Sequence, residues 1–295
     1  MNQQNPNTPR KIPLRSALGW ILLNTICISG TAFLGWYYFQ HDRQGRLHDP
    51  KFDLVAIVQT GPEKEVLKTE YLAELLDLSI DRPTNLYRFS TQEARSKLLA
   101  SPLIKEAEVK KIAPGTVYID YAIRKPVAFL SDYTNTALDA EGNLFPVKPF
   151  FTPKRLPEIY LGFDQDESIS EEWKGEGATP WGRQLKQSKA VLALSLLTLI
   201  SKHCCSEKSH LRRIDVSRAF ASAYGKRQIV IVMEDLISES EPAFSYYTRI
   251  MRLSTENFRQ DLANYLVLHE RFINNVPEHK IIDLRLSSLA FLSSE

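Results

Sequence analysis

His203, Cys204, Cys205 and His210 bring two imidazoles and two thiols into one short stretch. These are the ligand types that a soft divalent metal selects. Their spacing matches no structural zinc pattern, and they directly follow an apolar helical run, where polar residues ordinarily end an element. Asp215 and Asp235 supply carboxylates for acid–base work, but both fall at strand ends with no group to activate them. The acidic stretch "DQDESISEEWKGEGATP" lacks the ordered oxygen ligands and closing Glu of a calcium loop, and reads as a solvated loop. The chain has no Gly-rich phosphate loop, no HExxH and no GxSxG. These residues predict no enzyme, no metal and no cofactor.

The elements that position side chains here serve another purpose. The chain has 295 residues, a formal net charge of +2 and 43% hydrophobic residues, enough for about two domains. No segment carries a Lys/Arg stripe, so there is no nucleic-acid footprint. Three cysteines, two of them adjacent, give no disulfide framework.

From Ser16 to Phe39 no residue is charged, and Trp36, Tyr37, Tyr38 and Phe39 close the run. A bilayer-spanning helix needs about 20 apolar residues, and aromatic rings favour the interface. A cleaved signal peptide could use Gly30 and Ala32, but the apolar run continues past them, too long for a signal core. The expectation is an uncleaved anchor over 16–39, a cytoplasmic tail over 1–15 and a polar linker over 40–51. Arg10, Lys11 and Arg15 precede the run and Arg43, Arg46 and Lys51 follow it. That is a tie under the positive-inside rule, which permits an extracytoplasmic bulk without fixing it.

After the linker, "FDLVAIVQTG" is apolar on both sides, as a covered strand would be. "LKTEYLAELLDLSI" places Leu72, Leu75 and Leu76 on one helical stripe. Ser90 with Glu93 three residues on is a capping box, with Phe89 as a hydrophobic staple. Ala94, Leu98 and Leu99 form the buried side of that second helix. In "SPLIKEAEVKKIAPGTVYIDYAIRKPVAFL", Ala107 and Val109 share one face, and Val117, Ile119, Tyr121 and Ile123 alternate after Pro114-Gly115, the mark of a hairpin. Strand, helix, helix, strand, strand gives a three-stranded sheet with both helices on one face.

In the second half, "RLPEIYL", "LRRIDVS", "RQIVIVME" and "SYYTRIMRL" read as strands, with Glu234–Phe244 as a connection between the last two. Ala190–Ile200 is too short to span a bilayer and reads as the core of a buried helix. Phe258, Leu262, Tyr265, Leu266 and His269 mark another helix. "KIIDLRLSS" reads as the closing strand, with Ile282, Leu284 and Leu286 facing inward and Asp283, Arg285 and Ser287 outward. With no strand after it, its backbone is an open template for a partner segment.

The order of elements, the run "VKKIAPGTVYIDYAIRKPVAF" and the junction "ALDAEGNLFPV" resemble the POTRA domain of FtsQ/DivIB-type bacterial cell-division proteins, and "IIDLR" resembles that family's closing strand. The resemblance implies an α+β chain with one N-terminal transmembrane helix, a β-α-α-β-β POTRA domain over 52–130 and a mixed β-domain with covering helices over 131–295. It implies a non-catalytic divisome scaffold, anchored once in the inner membrane at the septum. Its partners would be an FtsB–FtsL-type coiled-coil pair and other divisome membrane proteins. Asp283, Leu284 and Arg285 carry over to the partner-binding edge, continued by Leu286, Ser287 and Ser288, although the family often has an aromatic where Leu286 stands. An alternative is a POTRA-bearing envelope assembly or secretion factor that handles extended client chains. Its outer-membrane members add a long β-barrel, and no such series of strands occurs here.

Overall fold

A computed structural model describes residues 14–163, 180–238, 245–272, 280–286 and 289–293. Helix α1 spans Leu14–His48. Its stretch from Leu18 onward is long and apolar enough to cross a membrane, and none of it is buried in protein. The polar linker expected over 40–51 is a correction: the helix continues through it to His48. Asp42 pairs with Arg46 one turn on, at 2.7 Å, a spacing that supports a helix. Pro50 then ends it and opens a short 3-10 turn over Pro50–Phe52. The helix end is held from outside. Asn85 Nδ2 donates to the carbonyls of Arg46 (3.1 Å) and Asp49 (3.3 Å); the Asp49 carbonyl also accepts the Phe52 N–H at 3.0 Å.

The first sheet comes from β1 (Ala56–Thr60), β2 (Ile104–Ile112) and β3 (Thr116–Ile123) in the order β1-β3-β2. β3 lies central, parallel to β1 (Ile57↔Val117) and antiparallel to β2 (Val109↔Ile119). Helices α2 (Thr69–Leu75) and α3 (Thr91–Ala100) supply Leu72, Leu76, Ala94 and Leu98 to a core shared with Val109, Val117, Ile119 and Tyr121. The Ser90 hydroxyl accepts the Glu93 backbone N–H at 3.2 Å, one half of the expected capping box. The Glu93 carboxylate turns instead to Lys97, at 3.0 Å. β1 differs from its expectation. Among the described residues only one face of the sheet is covered, and β1 is an edge whose Val58 is 48% exposed. Gly115 is fixed by crowding: a Cβ there would overlap the Asp53 carbonyl.

The second sheet comprises β4 (Ala128–Leu130), β5 (Thr136–Leu138), β6 (Leu144–Pro146), β7 (Glu158–Tyr160), β8 (Ser209–Asp215), β9 (Ile229–Ser238), β10 (Ser245–Leu253), β11 (Ile281–Asp283) and β12 (Phe291–Ser293). Their order is β12-β11-β10-β9-β8-β7-β4-β5-β6. Ala128–Leu130, expected at the end of the first domain, pairs in this second sheet with β5 and β7. Glu234–Ser238, expected in a connection, continues β9, with Glu234 opposite Thr248. Helix α4 (Ser188–His203) buries Ala190, Ala193, Leu196, Leu197 and Ile200, as its apolar run predicts. Helix α5 (Phe258–Phe272) adds Leu262 and Tyr265 to the same core. Most of the acidic stretch after Phe163 lies outside the described residues.

The two sheets meet at a packed junction. Ala137, Phe145 and Phe151 belong to the first sheet's core although β5 and β6 pair in the second. The buried Asp139 carboxylate accepts the backbone N–H of Glu141 (3.0 Å) and Asn143 (2.9 Å) and the Arg124 guanidinium (2.9 Å). The Asp-x-x-Gly turn thus locks to the strand that leaves the first sheet. Lys105 of β2 adds a pair with Glu141 at 2.6 Å.

Candidate functional site: the C-terminal sheet edge

Strand β11 is short because only three residues match the ladder. It pairs parallel with β10 (Met251↔Ile282, Arg252↔Asp283), and the Leu284 N–H donates to the Arg252 carbonyl at 2.9 Å. Ile282 and Leu284 are buried, as alternation predicts. Leu286, expected with them, is 57% exposed, because the chain leaves the strand after Asp283 and the alternation stops there. Ser287 and Ser288 lie outside the described residues.

A second correction concerns the edge itself. β11 was expected to be open, but β12 returns antiparallel along it (Ile281↔Ser293, Ile282↔Leu292, Asp283↔Phe291). The terminal strand of the sheet is therefore β12. Its side chains are exposed, and Phe291 and Leu292 join Leu286 and Leu289 as exposed apolar groups. The only signal for β12 in the sequence is the apolar "LAFL", too short to tell a strand from a tail by its period.

Arg285 was expected to present its donors outward. It folds back onto Asp283, with Nη2 to Oδ2 at 2.7 Å and Nε to Oδ1 at 3.0 Å. Burial alone would raise the Asp283 carboxyl, but its hydrogen bonds from Arg285 hold it below the usual carboxylate range. Asp283, Arg285, Leu286 and Phe291 line a groove of about 500 Å³ together with Tyr224, Arg227 and Glu256. The Arg227 guanidinium lies 4.0 Å from the Tyr224 ring centroid, a cation–π contact.

Behind this edge is a polar cluster that sequence reasoning missed. Arg249 of β10 is buried and pairs with Asp235 of β9. Its Nη1 donates to the Tyr265 hydroxyl at 2.5 Å and to His269 Nδ1 at 2.8 Å, both on α5. The Tyr265 and His269 rings stack at 5.4 Å. Burial pushes the Tyr265 hydroxyl up to about 12. Burial, then the Arg249 charge, lowers His269. The available signal was a charge on the inward face of an alternating strand, since Arg249 and the buried Met251 point the same way. The cluster ties α5 to β10, the strand on which β11 is laid down.

The other groups of chemical interest have structural surroundings. Cys204 is buried in the second core, and burial pushes its thiol up to about 11. Among the described residues no group of His, Cys, Asp and Glu gathers as a metal site would. Asp215 accepts the Ser217 backbone N–H at 3.0 Å, and Asp235 accepts the Ser209 hydroxyl at 2.6 Å.

Comparison with curated proteins gives no match. The family model for the POTRA domain, FtsQ-type, matches residues 63–120, which takes in α2, α3, β2 and most of β3. Residues 63–120 thus resemble an FtsQ-type POTRA domain, and they follow an N-terminal helix long and apolar enough to cross a membrane, an arrangement that fits an FtsQ/DivIB-type protein.

Proposed function

We propose that the protein is a non-catalytic scaffold of the bacterial division complex. It is anchored once in the inner membrane, with its N-terminus cytoplasmic and its two sheets extracytoplasmic at the septum. There it holds an FtsB–FtsL-type coiled-coil pair and other divisome membrane proteins, and so helps control septal peptidoglycan synthesis. The carrying observation is β12, the last strand of the second sheet, with no strand beyond it among the described residues. Its outer backbone groups can take an added partner strand, and exposed Phe291 and Leu292 offer apolar contact beside them. Asp283, Leu284, Arg285, Leu286, Ser287 and Ser288 then act as the support and flank of that strand rather than as its ladder.

Capture of the host's own FtsB–FtsL-type pair by the soluble part of the chain, from residue 49 onward, tests this reading. Leu292→Pro removes one N–H and stiffens the edge. It should abolish capture and leave the melting temperature nearly unchanged. Full capture by that variant would move the docking surface away from β12. A fluorescent fusion should form a band at mid-cell, whereas uniform envelope fluorescence would favour an assembly factor for extended clients.

A further inference from the structure

From Leu18 onward the uncharged run of helix α1 carries four Asn, Ser and Thr side chains, and three of them satisfy their donors internally. Thr25 Oγ1 donates to the Ile21 carbonyl (2.9 Å), Ser29 Oγ to the Thr25 carbonyl (2.6 Å) and Thr31 Oγ1 to the Cys27 carbonyl (3.0 Å). Asn24 differs. Its Nδ2 donates one proton to the Trp20 carbonyl at 2.8 Å, but an amide has a second N–H and an acceptor oxygen. Neither has a partner among the described residues. Asn24 lies near the middle of the span, about 5 Å of rise from its centre. An unsatisfied amide in hydrocarbon costs several kcal/mol.

The missing partner must both donate and accept, at the same depth. Asn24, Thr31 and Tyr38 recur at seven-residue intervals, with Cys27 and Leu34 three residues beyond the first two. That is the a and d pattern of a left-handed helix pair, with one Asn at an a position. A second copy of this chain inserts in the same direction and places its own Asn24 at the same depth. Across a two-fold axis each Oδ1 accepts from the other Nδ2, so the amide is its own complement.

We propose that α1 pairs in parallel, within the membrane, with α1 of a second copy, through the Asn24, Cys27, Thr31 and Leu34 face. The proposal rests on α1 spanning the membrane and is independent of what β12 binds.

Cys27 is exposed on this face and serves as the probe. The full chain carrying Cys204→Ala and Cys205→Ala is placed in phosphatidylcholine–phosphatidylglycerol vesicles at low protein-to-lipid ratio and oxidised with copper phenanthroline. A disulfide-linked dimer should form. Asn24→Leu should lower its yield about fivefold, and Asn24→Gln, which keeps the amide, should restore most of it. Leucine is the more apolar residue, so failed insertion cannot mimic the loss. Moving the thiol about 100° round the helix and off this face, with Cys27→Ser and Ile26→Cys, should give much less dimer. Equal crosslinking at 26 and 27, no dimer at 27, or a dimer indifferent to Asn24→Leu would each overturn the proposal.

Discussion

Arg249 donates a hydrogen bond to His269 Nδ1 at 2.8 Å. A guanidinium has no acceptor atom, so His269 must receive this bond with an unprotonated Nδ1. The folded state thus holds the imidazole neutral beside a fixed cation, with Asp235 and Tyr265 as the other polar groups of the cluster.

A pH dependence follows. The folded pKa of His269 is lowered by burial and by Arg249, so the unfolded chain binds this proton first as pH falls. The stabilisation is fully present above the unfolded value of about 6.5 and is lost as pH falls from there through the folded value. The melting temperature of the soluble part should therefore drop between pH 7.5 and pH 5.5. In His269→Gln that drop should be smaller. An identical pH profile in the variant would assign the acid sensitivity to other groups.

Arg249→Met should destabilise the second sheet by about 3 kcal/mol or more, because it leaves the Asp235 carboxylate without its charge partner. Adding Asp235→Leu should recover much of the loss, since an apolar pair replaces a broken ionic one. Urea unfolding of the two single variants and the double variant measures the coupling. Additive losses would show that the two residues act independently.

Ile119 is fully buried at the centre of the first sheet. Ile119→Asp puts an unpaired charge there and should cost several kcal/mol, enough to remove the cooperative thermal transition of the POTRA domain. Differential scanning calorimetry reads this directly, and an unshifted transition would mean that the side chain faces solvent.

Topology has its own measurement. Protease added to spheroplasts should digest the chain beyond α1 and leave the N-terminal tail with the membrane. Release of a soluble chain that begins near Phe33 would replace the anchor by a cleaved signal.

The sequence was most legible where a local rule fixes a side chain. The Ser90 cap, the alternation through Val117, Ile119 and Tyr121 and the stripe of α4 each depend on residues within a turn or a strand. β12 was hidden because three residues have no period. The extension of α1 past Phe39 is hidden because the charged "HDRQGRLH" reads as a linker, whereas the Asp42–Arg46 pair and Asn85 hold it as helix. Arg249 and Asp235 were hidden for a different reason. Their contact depends on the β9–β10 register and on where α5 lies across it, and no stretch of sequence contains both facts. At the closing strand, alternation placed Ile282 and Leu284 correctly and failed at Leu286, where the strand had already ended.

The continuity of α1 into its clasp on Asn85 fixes an azimuth as well as a height. Each residue added to a helix advances it by about 1.5 Å and turns it by about 100°. The POTRA domain therefore points in a compass direction set by the number of residues between Asn24 and Asp49. One residue inserted after His41 would leave the span, the domain and its fold intact, yet swing the domain through more than a quarter turn. Seven inserted residues would nearly restore the heading, about 10 Å further from the bilayer. Activity that returned with seven and failed with one would mark this helix as a keyed shaft rather than a tether.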